Sequence, residues 1–278
     1  MAEYAAPAPM ISIPPMLHPA TFPPRILRAL LSALLLAALL LALPCPARAD
    51  EAADALMRRL DEMWRGASSE ARMSMSIKTR HYERHMTMHA WSEGTEKSLV
   101  RILEPKKDAG IATLKVERNI WNYLPKINRV TKIPPSMMMT SWMGSHFTND
   151  DLVRESSYEE DYESHISFEG PRDGTQIVEV TSVARPDAPV VWGRIVTVID
   201  KPRLLPLSAV FYDEDGVKVR TMRYLAPKQY GKRLVPSRME LQPEDKPDEI
   251  TVIEYESLTF DIPLPADLFS LARLKQSR

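Results

Sequence analysis

Three histidines, His81, His85 and His89, stand four residues apart, and on a helix that spacing would stack their imidazoles on one face as zinc ligands. The residues between them point elsewhere. Met86, Met88 and Ala90 alternate with His85, Thr87 and His89, which is the period of a strand. On a strand, residues i and i+4 lie ~13 Å apart, too far to share one ion. The histidines are therefore expected as a polar, outward stripe, with no metal and no cofactor. Ser145-His146 follows Gly144, but no Gly-x-Ser-x-Gly elbow surrounds the pair and no base partner is identifiable. Glu159, Glu160, Asp161 and Glu163 read as a solvated acidic run. Phosphate-loop and dinucleotide signatures are absent from the sequence. No enzyme chemistry is expected of this chain.

What the sequence concentrates instead is flexible apolar surface. Between Pro134 and Leu152 stand Met137, Met138, Met139, Trp142, Met143 and Phe147. Methionine is unbranched and polarizable, so such a segment adapts to ligands of variable shape. Two readings are open: a greasy lid over an apolar cavity, or a loop tucked into the protein's own core. Under the first, Met73, Met75, Met86, Met88, Trp121 and Tyr123 would line the cavity beneath. An acyl chain would then gain ~0.8 kcal/mol per buried methylene without needing any fixed shape. Lys126, Arg129 and Lys132 stand just before the segment. They read either as an exposed strand face or as contacts to an anionic headgroup or acidic partner.

The elements that must position these residues follow from periodicity. Glu51 to Arg65 places Ala55, Leu56, Leu60, Met63 and Trp64 at helical spacing, and Gly66 ends the helix. After it the period is two. Strands are expected around Met73–Ile77, Met86–Ala90, Leu99–Leu103 and Ala112–Val116. In the second half they are expected at Ile177–Val183, Val190–Ile199, Leu207–Tyr212, Val217–Tyr224, Leu234–Leu241 and Ile250–Leu258. Thr148 and Asp151 form a capping-box pattern for a short helix. Pro263 to Phe269 reads as a docking tail anchored by Phe269. The fold class is mainly β with a few helices (α+β): a curled antiparallel sheet of about ten or eleven strands, forming an incomplete barrel. The N-terminal helix and the Met-rich lid would cover its concave face.

The first 49 residues read as a leader with a long Pro-rich extension. Arg25 and Arg28 precede the apolar run Ala29–Leu43, and Ala47-Arg48-Ala49 is a small-x-small cleavage site. The run falls short of the ~20 residues that span a bilayer. A signal peptide cleaved after Ala49, and a periplasmic protein, are therefore expected, with Met16 an alternative start. The leader holds three of the 36 Lys+Arg and one of the 37 Asp+Glu, so the remainder carries 33 against 36, a net charge of −3. That balance gives no footprint for nucleic acid. The one cysteine, Cys45, lies in the leader, and Pro44 before it argues against lipidation. Residues 50–278 are expected to form one domain.

Two blocks, Trp121-Asn122-Tyr123-Leu124-Pro125-Lys126-Ile127-Asn128-Arg129-Val130-Thr131-Lys132-Ile133 and Met143-Gly144-Ser145-His146-Phe147-Thr148-Asn149-Asp150-Asp151-Leu152, occur in this order with a Pro-Ser-Met link. Together they resemble the LolA-like outer membrane lipoprotein-sorting family. The resemblance implies a half-barrel closed by helices. It implies periplasmic carriage of the acyl chains of lipids or lipoproteins, with transient membrane contact, beside an RND-type inner-membrane transporter. A lipid-sensing regulator acting on a membrane partner is the second reading of the same half-barrel.

Overall fold

The computed structural model describes residues 51–153, 161–186, 188 and 190–276. The expected leader, Glu159 and Glu160 lie outside them. These described residues all fall within one compact unit.

Helix α1 (Glu51–Arg65) forms where the spacing predicts it, with Glu51 and Asp54 in its first turn, where the helix dipole favours acids. Ala53, Met57, Leu56 and Leu60 pack it on Val178, Val180 and Ile199. It stops at Gly66, whose φ is +65°. A Cβ at Gly66 would lie 2.6 Å from Asp261 Oδ1, so the stop needs glycine.

Thirteen strands follow: β1 (Ser68–Lys78), β2 (Glu83–Glu93), β3 (Lys97–Glu104), β4 (Ala112–Val116), β5 (Asn119–Leu124), β6 (Arg129–Lys132), β7 (Tyr162–Arg172), β8 (Thr175–Ala184), β9 (Arg194–Asp200), β10 (Leu205–Tyr212), β11 (Lys218–Tyr230), β12 (Arg233–Pro243) and β13 (Ile250–Phe260). They form one antiparallel sheet in the order β6-β5-β4-β3-β2-β1-β13-β12-β11-β10-β9-β8-β7. Two meanders, β1–β6 and β7–β13, are thus joined by the pairing of the first strand with the last. The edges β6 and β7 are not paired with each other, so the sheet is not closed into a barrel.

The expected ten or eleven strands fall short of thirteen. The missing ones are β5, β6 and β7. The first two are short and share a tight turn, Pro125–Ile127, closed by Asn128 in the left-handed region. The third is an edge strand whose charges, Glu163 among them, mask the alternation. Glu163 accepts a bond from Arg185 at 3.0 Å.

The sheet curls. β3 and β9 are seven steps apart in the strand order, roughly 33 Å in a flat sheet. Yet Val100 and Thr197, one from each, line the same cavity. Along the inner face the register aligns Ile102, Met88, Met73 and Tyr255 in one row across β3, β2, β1 and β13. Met75 sits between Met86 and Ile253 in the next row. On the opposite face Leu99, Ala112, Leu114 and Tyr123 are covered by the C-terminal tail through Leu268 and Leu274. Helix α3 (Leu271–Leu274) ends that tail, with Ser270 accepting from the Arg273 amide. Phe269, the expected anchor, is only partly buried there, and the two leucines are the buried residues.

Candidate functional site

The Met-rich segment is the connection from β6 to β7. These strands are opposite edges of the sheet, and the described residues 133–153 run across it. Along the described part of this strap the contacts advance from strand to strand. Trp142 Nε1 donates to Thr113 Oγ1 of β4 at 3.1 Å. Arg84 of β2 donates to the Met143 carbonyl at 2.7 Å, and Tyr82 donates to the Gly144 carbonyl. His146 bonds Thr251 Oγ1 of β13 through Nδ1 at 2.8 Å, and Glu249 Oε2 through Nε2 at 3.1 Å. The His146 bond, then the Arg80 amide, hold the Glu249 carboxyl below its ordinary range. Helix α2 (Asn149–Val153) carries the expected capping box: Asp151 accepts from the Thr148 amide at 2.7 Å, and its own amide donates to Thr148 Oγ1 at 3.2 Å.

The strap ends on a buried ion pair. Arg220 of β11 donates from Nη1 to Asp151 Oδ2 at 2.8 Å and from Nη2 to Oδ1, and also reaches the His146 carbonyl. Its guanidinium lies 4.2 Å from the Trp192 ring and 4.4 Å from that of Phe211. Burial pushes the Asp151 carboxyl up, but Arg220 and the Thr148 bonds outweigh it and hold the group below the usual carboxylate range.

Between sheet, strap and α1 lies a cavity of about 340 Å³. Small-ligand pockets run from ~300 to 1,000 Å³. Met57, Leu60 and Trp64 of α1 form one wall, with Trp64 edge-on to Tyr224 at 5.7 Å. Trp142, Phe147 and Asp151 of the strap form another. The sheet floor is Ala71, Met73, Met75, Met88, Ala90 and Val100 on one side, and Ala209, Phe211, Met222, Met239 and Ile253 on the other. Among the described lining residues the one cation, Arg220, is paired with Asp151. The end away from the strap, beside Ser69, Ser92 and Ser98, is half-buried.

Of the residues expected at such a site, Met73, Met75, Met88, Trp142 and Phe147 meet at this cavity. Met86 and Met143 pack in the adjoining core. Trp121 and Tyr123 do not reach it. They share strand parity with Leu114 and Ala112, which places them on the outer face under the tail. Met137, Met138 and Met139 are not in the lining. Met137 and Met139 face solvent, because the strap's inner side begins at Trp142. Lys126, Arg129 and Lys132 are exposed around the β5–β6 turn, with Lys132 5.7 Å from the Trp121 ring centre. The second-half floor was not singled out from the sequence, although the alternation of Met222 with Tyr224 and of Ile253 with Tyr255 marks it; α1, with Leu60 and Trp64 on its apolar side, was expected over the concave face.

The candidate nucleophile has structural partners. Ser145 Oγ donates to the Trp142 carbonyl and accepts from the Phe147 amide, a turn that aims Trp142 and Phe147 inward. Thr251, His146 and Glu249 do form a hydroxyl–imidazole–carboxylate string. However, Thr251 is fully buried and its hydroxyl already accepts from the His146 amide. His85 bonds Ser76 and His89 bonds Glu70, each across the strand pair β1–β2.

The architecture matches solved structures along nearly their whole length. A domain assigned as outer membrane lipoprotein-sorting, from Vibrio parahaemolyticus, superposes with a TM-score of 0.71 at 23% identity, covering 81% of this chain and 99% of that one. A DUF1329 family protein from Desulfovibrio piger gives 0.73 at 20%, covering 82% and 100%. A LolA superfamily protein from Nitrosomonas europaea gives 0.67 at 20%, covering 80% and 98%. No curated protein matches the chain. A family model described as "-like: Uncharacterized protein" matches residues 94–276. The chain belongs to that family, and it is built on the LolA-type fold of the outer membrane lipoprotein-sorting proteins.

Proposed function

We propose that this chain is a periplasmic carrier. It shelters an acyl chain of a lipid or lipoprotein from water and hands it between envelope membranes, or to an RND-type inner-membrane transporter, without chemical change. The observation that carries this reading is the cavity: a methionine- and aromatic-lined space of about 340 Å³ inside a curled sheet. The floor gives apolar contact without a fixed mould, since Met73, Met75 and Met88 adapt to chain length and kink. Among the described lining residues the one cation, Arg220, is paired with Asp151, so it does not demand an anion in the cavity.

The test fills the floor. Ala71, the fourth residue of β1, is buried on the lining. Ala71→Phe should lower uptake of a fluorescent fatty-acyl probe by at least about tenfold, the loss of two buried methylenes or more. Organic extraction of freshly purified wild type, followed by mass spectrometry, should recover lipid. A wild-type protein that carries no lipid and takes up no probe would end the carrier reading. Lipid recovered without transfer between vesicles would favour the sensing regulator.

A further inference from the structure

The strap has two sides, and only one faces the cavity. Ten large hydrophobic side chains are exposed among the described residues, and three of them stand at the β2–β6 corner of the strand ends: Ile127 (63% exposed), Tyr82 (43%) and Leu124 (41%). The chain brings them together. Tyr82 bonds the Gly144 carbonyl, Arg84 links Met143 to Asp108, and Gly110 of that loop packs against Pro125 of the β5–β6 turn.

The charges at this corner are mostly positive, whereas the β10–β11 and β12–β13 turns farther along the same end carry the exposed acids Glu214, Asp215, Glu244, Asp245 and Asp248. Lys106 and Lys107 sit on the loop packed against Pro125, and Lys126 and Arg129 flank Ile127; all four are exposed. They outnumber Glu83 and Glu104 at the neighbouring strand ends, and the loop's own acid, Asp108, is taken by Arg84 at 2.8 Å. Apolar tips ringed by lysine and arginine match a negatively charged lipid surface: the tips enter the headgroup layer while the cations meet phosphates.

We propose that this corner docks on an anionic bilayer, through Ile127, Leu124 and Tyr82. The proposal rests on the carrier reading and deepens it. Tyr82 bonds the Gly144 carbonyl and Arg84 the Met143 carbonyl, between Trp142 and Phe147, so the corner that meets the membrane holds the strap that walls the acyl cavity. A bilayer that draws this corner in pulls on the strap against its anchors at Thr113, Thr251 and Arg220.

The experiment uses phosphatidylglycerol-containing and pure phosphatidylcholine vesicles with the full chain. Wild type should co-float with the anionic vesicles and not with the neutral ones, and added salt should release it. Lys126→Glu with Arg129→Glu should weaken that binding at least about tenfold, and Ile127→Asp should do the same. Both variants should take up the fluorescent acyl probe in vesicle-free solution as wild type does, because these residues are off the cavity. With Cys45→Ser as background, an environment-sensitive dye on Ile127→Cys should brighten on anionic vesicles, and the same dye on Ser98→Cys at the cavity's other end should not. The proposal is overturned by indifference to lipid charge, by brightening at Ser98 alone, or by capture of an acidic protein with no vesicle binding. Loss of probe uptake in wild type would instead overturn the carrier reading and leave the docking result to stand.

Discussion

At the scale of single residues, the contact on which the cavity's strap end turns is Arg220 with Asp151. Both side chains are nearly buried, and Arg220 is flanked by Trp192 and Phe211. Removing one member of such a pair leaves an uncompensated charge, so Arg220→Met should cost ~3–5 kcal/mol of stability in a denaturant melt. Its pH dependence has a fixed sign. Asp151 is held below the ordinary carboxylate value, so its contribution is present above the unfolded value near ~4 and is lost as pH falls through the lower folded value. Wild type should lose this stability on acidification, whereas Asp151→Asn should show a flatter profile over the same range; equal slopes for the two would remove the pair from the account. The pair was not legible in the sequence. An arginine within an alternating strand carries no sign of a partner 69 positions away. Met73, Met75 and Met88 were legible, because alternation shows which residues share a face. It does not show which face is hollow, and Trp121 and Tyr123 lie on the other one.

At the scale of elements, the cavity wall α1 is tied at its last turn by a polar clamp. Arg233 of β12 donates to the Glu62 carbonyl at 2.6 Å and to Asp261 Oδ2 at 3.0 Å, and Asp261 Oδ1 accepts from the Ala67 amide at 2.8 Å. Those two bonds, the Ala67 amide first, hold the Asp261 carboxyl below its usual range. The clamp is therefore intact above the unfolded carboxylate value and loosens as pH falls through the depressed one. Hydrogen exchange should show the last turn of α1 opening faster at acid pH, and Asp261→Ala should reproduce that rate at neutral pH. If the variant's exchange in α1 matches wild type, the clamp is not what seats the helix. The extent of α1 was readable from its apolar spacing and from Gly66 as its stop. The clamp was not, because its acid lies beyond the last strand. The strap's short helix was equally readable: Thr148 and Asp151 are near in sequence, so their capping box needs no tertiary information.

At the scale of the whole molecule, the two faces of one sheet serve different ends. The inner face is left partly unfilled and holds the cavity. The outer face of β3–β5 is sealed by the tail, and Arg101 there donates to the Arg273 carbonyl at 2.9 Å. Period-two patterning predicted an antiparallel sheet, and β1 pairing with β13 builds it, but alternation within a strand says nothing of its partner, so that join had to come from the structure. The separation of faces yields a prediction that neither scale below it contains. Deleting residues 263–276 removes Leu268 and Leu274, worth about 3–6 kcal/mol of burial together. It also uncovers Leu99 and Leu114 and strips buried Arg101 of its carbonyl partner. The shortened chain should melt earlier, bind a hydrophobic dye and self-associate. Yet wherever it remains folded it should take up acyl probe as wild type does, since no tail residue lines the cavity. Loss of uptake in a truncated protein whose circular dichroism is still native would mean that the tail controls the hollow through the sheet, and the two faces would then have to be treated as one device.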